Sequence, residues 1–320
     1  MEIIDGIKKG LLITAVALLM ACGAGSSSSS SGGPAYSGRA TPAIVDNSNS
    51  KDFSDTTYTG TGATGAFAAL DAGGSNNGAN LKGFAKTFRT FTKDFDAGKG
   101  SLGGATAELV NENQTIPGNC GGDYSFNVNY DTVTGSFDGS LTFNNLDDCD
   151  GTVNGSVSYS GTINLGDVSD FKMSFSSLTF SDSVESITMN GSAIFKQIST
   201  SVDQVVLNMD YQDNNTNLTY RTENLVIVST NHDTYSSETI AGKVYHPDYG
   251  YVVVRTDLDL VVTNYDNYPS TGIVVMTGAT SEATVTFNDS NSYSIAVDEN
   301  GDGTIDQTKA CTWVPDTCGI

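Results

Sequence analysis

The sequence is poor in positive charge and in histidine. Its 320 residues include 15 Lys and Arg against 37 Asp and Glu, a formal net charge of −22, and it has two histidines. Because so acidic a chain repels phosphates, nucleic acid is excluded as a sequence-independent partner. Two histidines leave little room for histidine-based catalysis, and the HExxH, GxSxG and Walker motifs are absent. These absences favour a non-catalytic protein over an enzyme.

Charged residues and proline are also scarce. Charged residues make up 16% of the chain, against roughly 25% in an average soluble domain. The 35 glycines and 6 prolines together stay well below the roughly 25–30% that marks a low-complexity chain, so wholesale disorder is not expected. On folding, a chain of this length can bury about 75% of the surface that it exposes when unfolded. This is enough for a large core, in one domain or two.

The first 22 residues carry a targeting signal. Lys8 and Lys9 precede an apolar run that has the length of a signal-peptide core and is too short to span a bilayer. The run leads into Leu19-Met20-Ala21-Cys22, which resembles the lipobox of bacterial lipoproteins. The resemblance implies removal of the signal peptide, residues 1–21, and attachment to a membrane through acyl chains on Cys22. An ordinary secretory signal with an accidental cysteine is the alternative.

The residues that follow Cys22 indicate a destination and a tether. In Gram-negative lipoproteins an Asp after the lipidated cysteine favours the inner membrane, and this chain has Gly23 there. The resemblance therefore implies an outer-membrane lipoprotein that faces the periplasm or the cell surface. Residues 22–33 are rich in Gly and Ser, and such runs behave as flexible coil. We expect them to connect the membrane to a folded domain.

Four cysteines remain when Cys22 is set aside, and their even number is typical of disulfides in an oxidising compartment. Cys120, Cys149, Cys311 and Cys318 allow three pairings. Because Cys311 and Cys318 bracket a short turn, we predict that they pair with each other and that Cys120 pairs with Cys149. A metal site is the alternative, but no CxxC spacing and no nearby histidine supports it.

Residues 34–119 are predicted to be irregular, with one amphipathic helix near residues 80–97. The apolar face of this helix repeats at spacings of three and four, in Leu81, Phe84, Phe88, Phe91 and Phe95. Basic residues occupy the rest of its circumference. Two interpretations stay open: the aromatic stripe packs on a sheet, or the helix lies on anionic lipid with its cations outward.

From residue 120 to residue 320 the apolar period changes from helical to two. Tyr124, Phe126 and Val128 alternate with short polar residues, and later segments repeat this alternation. Such alternation is typical of antiparallel strands with one buried and one solvated face. We therefore predict a mainly β protein, an antiparallel meander that forms a sandwich or a strongly curled sheet.

A short motif recurs in the predicted strands without a fixed period. It reads Asp or Asn, then Gly-Ser, and occurs at Asp138-Gly139-Ser140, Asn154-Gly155-Ser156 and Asn190-Gly191-Ser192. A propeller or solenoid needs a steady period, which is absent here. We interpret the glycine as the residue that permits a turn or bulge at the start of a strand.

The segment from Asp298 to Asp306 resembles the calcium loop of EF-hands, dockerins and thrombospondin-type repeats. The resemblance implies weak Ca²⁺ binding by oxygens of Asp298, Asn300, Asp302, Thr304 and Asp306. The departure is at position 12, where the EF-hand has a bidentate acid and this chain has Lys309. The alternative is an Asp- and Gly-rich turn after a strand.

The sequence predicts a lipid-anchored extracytoplasmic protein with a non-catalytic binding or scaffolding role, and its protein, glycan or lipid partner is not indicated. One alternative is a carrier whose curled sheet, with Phe84, Phe88 and Phe91, lines a cavity for an apolar ligand. Another is a secreted hydrolase that uses acidic residues the sequence does not identify. Trp313 lies between Cys311 and Cys318, where we expect it to pack beneath the disulfide loop rather than to stack on a sugar.

Overall fold

The computed structural model describes residues 33–58 and 109–319, apart from short gaps at 132, 135, 148, 150, 165–166, 184–185, 200, 233, 264–267 and 314–316. The described residues form one helix and one sheet of fifteen strands. The helix, α1, spans Ser50–Tyr58. The strands are β1 Leu109–Pro117, β2 Gly121–Asp131, β3 Ser136–Asp147, β4 Thr152–Asn164, β5 Asp167–Ser181, β6 Ser186–Ser199, β7 Val202–Asp213, β8 Leu218–Asn231, β9 Tyr235–His246, β10 Gly250–Thr263, β11 Thr271–Thr277, β12 Glu282–Asp289, β13 Ser292–Asp298, β14 Gln307–Thr312 and β15 Thr317–Gly319.

The strands follow one another in the sheet in the order of the sequence, and every neighbouring pair is antiparallel. The predicted mainly β antiparallel meander is therefore confirmed. All fifteen strands belong to a single sheet, so the arrangement is that of a curled sheet. The sheet begins at Leu109, ahead of the predicted boundary at residue 120.

The core lies on one face of this sheet because apolar residues occupy every second position. In β12 and β13 buried and partly exposed residues alternate along most of each strand. The core is one continuous cluster that runs from β2 to β14. Its largest fully buried side chains are Phe53, Phe126, Leu141, Met173, Leu178, Leu207, Leu225, Leu260, Met276, Tyr293 and Ile295.

Bulges bend the strands and increase the curl. Ser177 on β5 has a φ of 49° and lies opposite Gly155 on β4, whose φ is 115°. A Cβ on Gly155 would lie 2.3 Å from the Ser177 carbonyl oxygen, so only glycine fits there. Gly191 on β6, with a φ of 122°, flanks the β5–β6 bulge, and a Cβ there would lie 2.2 Å from the Asn208 carbonyl oxygen on β7. Two of the three predicted motif glycines thus serve bulges, but they lie inside strands rather than at strand starts.

The N-terminal region differs from the prediction of an irregular segment with one helix near residues 80–97. That helix lies outside the described residues. The structure instead has α1 at Ser50–Tyr58, which the sequence analysis missed. Apart from Tyr58 at its last position, Phe53 is the one large apolar residue of this helix, and it is completely buried. A nine-residue helix with one such anchor shows no apolar stripe, and this is why periodicity did not reveal it.

Candidate functional site

A cross-strand row of polar and aromatic residues lies on the solvent-facing side of the sheet. In the register of neighbouring strands, Asn190 on β6 faces Asp210 on β7, and Asp210 faces Arg221 on β8. Arg221 in turn faces Tyr245 on β9, and Tyr245 faces Tyr251 on β10. Residues 33–43, named here the N-terminal strap, cross these five strands and contact each member of the row.

The strap begins at the bulge between β5 and β6. The Asn190 amide donates to the Pro34 carbonyl at 2.9 Å, and its Oδ1 accepts the Ser177 N–H at 2.6 Å. Gly33 packs so closely that a Cβ there would lie 2.2 Å from the Asn190 side chain. The N-terminal end of the strap is therefore fixed to β5 and β6.

Tyr36 is the central contact of the strap. Its backbone N–H donates to Asp210 Oδ2 at 3.1 Å, and its hydroxyl donates to the Arg39 carbonyl at 2.7 Å. Its ring lies 5.0 Å from the Arg221 guanidinium and packs edge-on against Tyr245 with centroids 5.4 Å apart. Burial raises the pKa of Tyr36 to about 12, so the hydroxyl stays protonated and continues to donate.

The charged groups beneath the strap are paired. Arg221 holds Asp210 through two hydrogen bonds, and these raise the pKa of the guanidinium further. Glu223 Oε1 accepts from Lys243 Nζ at 2.8 Å, and its Oε2 accepts from the Tyr245 hydroxyl at 2.6 Å. These two hydrogen bonds, Lys243 first, lower the pKa of Glu223. Each of these four charged groups has a partner, and together they form the surface on which the strap lies.

The strap ends beside Tyr251 at the start of β10. The residues after it contact the connection between β11 and β12. Tyr251 exchanges backbone hydrogen bonds with Thr41 and Ala43, at 3.0 and 2.8 Å. The Ala43 carbonyl accepts from the Ala279 N–H at 2.7 Å, and the Val45 N–H donates to Ser281 Oγ at 2.6 Å. The chain is thus tied to the β11–β12 connection before α1 begins.

Helix α1 packs on an aromatic cluster around His246. The His246 ring stacks on Tyr249 with centroids 4.4 Å apart, and Phe53 of α1 lies 6.1 Å from it. Tyr249 is hydrogen-bonded to the Asp52 carboxylate. Burial lowers the pKa of His246, although Asp52 and Asp248 oppose this shift. Nδ1 of His246 accepts the Asp248 N–H at 3.2 Å, so the neutral ring supports the β9–β10 turn.

The predicted calcium loop connects β13 to β14, and its carboxylates bind backbone rather than converge on one point. Asp298 accepts four backbone N–H groups, with the shortest contacts 2.7 Å from Gly301 and Gly303. Burial raises the pKa of Asp298, but these hydrogen bonds outweigh it and lower the pKa below its ordinary value. Asp306 Oδ2 accepts the Glu299 N–H at 2.8 Å, on the opposite side of the loop.

The remaining predicted ligands and Lys309 have other partners in this loop. Asn300 Oδ1 accepts the Asp302 N–H at 2.9 Å, and Asp302 Oδ1 accepts the Thr304 N–H at 2.8 Å. Lys309, which stands where an EF-hand has its bidentate acid, donates to the Asn47 carbonyl. In the part of the chain that the structure describes, no group of three or more His, Cys, Asp or Glu side chains is placed to hold a metal ion.

Both predicted disulfides are present. Cys120 is bonded to Cys149 and Cys311 to Cys318, with Cα atoms 5.2 and 4.1 Å apart. Trp313 is buried, as expected, and its ring lies 4.4 Å from the parallel ring of Tyr268. Trp313 is therefore part of the core at the end of the sheet.

Cys22 and the residues of the predicted amphipathic helix lie outside the described residues. Within the described ranges, no helix is long and apolar enough to cross a membrane. Comparison with protein-family models, with curated proteins and with solved structures finds no match to this chain.

The row of residues beneath the strap was not predicted from the sequence, although the pairing of Asp210 with Arg221 could have been. Asp210 and Arg221 are equidistant from the turn between β7 and β8, so a hairpin places them opposite each other. Tyr36 gives no such signal, because it lies in a segment without periodicity and meets Asp210 from 174 positions away.

Proposed function

We propose that this protein is a lipid-anchored extracytoplasmic scaffold, in which the N-terminal strap fixes where a membrane tether joins the β sheet. The observation that carries the proposal is the strap itself. Residues 33–43 have no regular secondary structure, yet their backbone and Tyr36 are bound across five strands. A segment that only linked a signal peptide to a domain would not need such contacts.

The length of the chain before the strap supports a position close to the membrane. Ten residues lie between Cys22 and Gly33, and the eleven Cα-to-Cα steps that join them span at most about 36–40 Å. If Cys22 carries the acyl chains, the face formed by β5 and β6 therefore stays within this distance of the lipid surface. The tether transmits any pull on the lipid first to Asn190 and Asp210.

The two disulfides support an extracytoplasmic location, since such bonds persist in oxidising compartments. The polar solvent side of β2 to β5 supports a scaffolding role, because its side chains pair with one another across strands: Asn144 donates to Asp123 at 2.8 Å and Asn129 to Asp138 at 3.0 Å. On these strands the described residues that face solvent are mostly Ser, Thr and Asn, with Asp123, Asp138 and Lys172 among the charged members.

The proposal is tested by replacing the predicted lipidated cysteine. Cys22→Ser should abolish incorporation of labelled palmitate and leave an unprocessed precursor in the producing cell. The double variant Cys120→Ser, Cys149→Ser is the matched control, because it removes two other thiols and should still be lipidated. Processing and membrane retention of Cys22→Ser at wild-type levels would refute lipid anchoring.

The carrier and hydrolase hypotheses can be tested on the same purified protein. Phe84, Phe88 and Phe91, the residues expected to line a cavity, lie outside the described residues. Native mass spectrometry of the mature protein would reveal a co-purifying lipid as added mass. A protein that carries such a lipid in stoichiometric amount would favour the carrier over the scaffold.

A further inference from the structure

Three Asn-Gly sequences lie in the described residues, and the fold gives them different surroundings. They are Asn154-Gly155 in β4, Asn190-Gly191 in β6 and Asn300-Gly301 in the loop between β13 and β14. Asn-Gly is the sequence most prone to succinimide formation, because glycine offers no side chain to hinder attack by its own nitrogen. The three sites therefore provide an internal comparison of one chemistry in three environments.

At Asn300 the structure holds both reacting groups. The Gly301 N–H, which must lose its proton, donates to Asp298 Oδ1 at 2.7 Å. The side-chain oxygen of Asn300, Oδ1, must take up negative charge, and it accepts the Asp302 N–H at 2.9 Å. A carboxylate that accepts the proton of the attacking nitrogen lowers the barrier to acyl transfer, and so does an N–H group that donates to the oxygen on which negative charge develops. Asn300 is also exposed and lies outside the sheet ladder.

The other two sites lack this arrangement. Asn190 is half-buried, and both ends of its amide are engaged, by Ser177 and by Pro34. Asn154 is exposed, and the Gly155 N–H donates to Asn154 Oδ1 at 3.1 Å rather than to a carboxylate. Its backbone pairs with Thr179 in the sheet. Deamidation at either site requires the backbone to rotate out of a strand that has a neighbour on both sides, which needs local opening.

We propose that Asn300 is a site of self-catalysed deamidation, in which the Asp298 carboxylate assists attack by the Gly301 nitrogen on the Asn300 side-chain carbon. The bond from the Gly301 nitrogen to Asn300 Cγ forms as the amide proton passes to Asp298. Asp298 does not keep this proton, because its backbone hydrogen bonds lower its pKa, and releases it to water. The bond from Cγ to Nδ2 then breaks, and Nδ2 leaves as ammonia after it gains a proton. Water opens the succinimide to aspartate or isoaspartate, so the balance is water in and ammonia out, without oxidation.

The test follows the three sites in one molecule. The folded full-length protein is incubated at mildly alkaline pH, and peptide mass spectrometry measures deamidation with time, with fragmentation that separates isoaspartate from aspartate. The same protein, reduced and unfolded in denaturant, gives the intrinsic rate of each site. In the folded protein Asn300 should react at least about tenfold faster than Asn154 and Asn190, which are protected by the sheet.

Two comparisons can overturn the proposal. Asn300 should react in the folded protein at least as fast as in the unfolded chain, and a slower reaction would show that the loop protects it. Asp298→Asn keeps a hydrogen-bond acceptor beside Gly301 but cannot take the proton, so it should slow Asn300 several-fold. The rate at Asn154 in this variant is the control for an intact sheet. An unchanged or faster reaction at Asn300 in Asp298→Asn, with Asn154 unaffected, would refute the role of Asp298.

Discussion

Arg221 and Asp210 face each other on neighbouring strands, with Nε 2.6 Å from Oδ1 and Nη2 2.9 Å from Oδ2. The same carboxylate accepts the backbone N–H of Tyr36, and the guanidinium lies over the Tyr36 ring. One ion pair thus joins two strands of the sheet to a segment that lies far away in the sequence. Loss of this ion pair should detach the strap more readily than it unfolds the sheet.

Arg221→Ala should lower the free energy of unfolding by about 1–3 kcal/mol, because it leaves the partly buried Asp210 carboxylate without its charged partner. The strap should also become more sensitive to limited proteolysis near Tyr36. Urea denaturation and timed digestion measure the two effects. Arg255→Ala is the control: its ion pairs with Asp257 and Glu282 have all three side chains 40–48% exposed, so a loss of less than about 1 kcal/mol is expected. Equal losses in the two variants would contradict this reasoning.

Gly191→Ala should destabilise the sheet by about 1–3 kcal/mol, because a side chain at this position is strained and overpacked. The φ of Gly191 is 122°, and a Cβ would lie 2.2 Å from the Asn208 carbonyl oxygen. Gly319→Ala is the matched control, since a Cβ there meets nothing within 4 Å. Thermal denaturation of both variants decides the point. A Gly191→Ala protein as stable as wild type would show that the bulge can relax.

Unfolding should become easier as pH falls below about 6.5, the ordinary pKa of histidine. Burial lowers the pKa of His246 in the folded state, so the unfolded chain binds more protons in this range. The contribution of His246 is fully present above this pH and is lost as pH falls through it. Urea denaturation at several pH values should show this slope in wild type and a smaller slope in His246→Gln. An unchanged slope in His246→Gln would assign the effect to another group.

The disulfides should differ in their contribution to stability. In the chain-entropy relation, the Cys120–Cys149 bond, with 29 residues of separation, contributes about 3.6 kcal/mol, and the Cys311–Cys318 bond, with 7, about 2.4 kcal/mol. Paired Cys-to-Ser variants of each bond, compared by denaturation, test the order. A larger loss from the shorter loop would mean that packing around Trp313 outweighs the entropy of the unfolded chain.

Calcium binding to the loop of residues 298–306 stays a prediction. A site that binds only the folded state adds about 1.4 kcal/mol at roughly ten times Kd, which should raise the melting temperature. Calcium and magnesium are compared at equal ionic strength, in wild type and in Asp302→Ala. A rise specific to calcium and lost in Asp302→Ala would support the site. Equal rises with both metals would leave the loop as a turn that Asp298 organises through backbone N–H groups.

Local patterns in the sequence determined the strands, the buried face and both disulfides. Alternation at Tyr124, Phe126 and Val128 was sufficient because a period of two has one structural solution when one face is apolar. The Cys311–Cys318 pairing followed from closeness along the chain. The motif glycines indicated bulges, since few other residues tolerate a positive φ.

The tertiary structure alone decided which distant segments meet. The strap carries no periodicity, and Tyr36 contacts Asp210 only because strands β6 to β10 bring five polar positions into one row. Likewise, the sequence from Asp298 to Asp306 has the oxygens of a calcium loop, but the fold directs Asp298 to backbone N–H groups and Lys309 to Asn47. Composition and spacing determine which chemical groups are available, whereas their partners depend on which surfaces the folded sheet brings within hydrogen-bond distance.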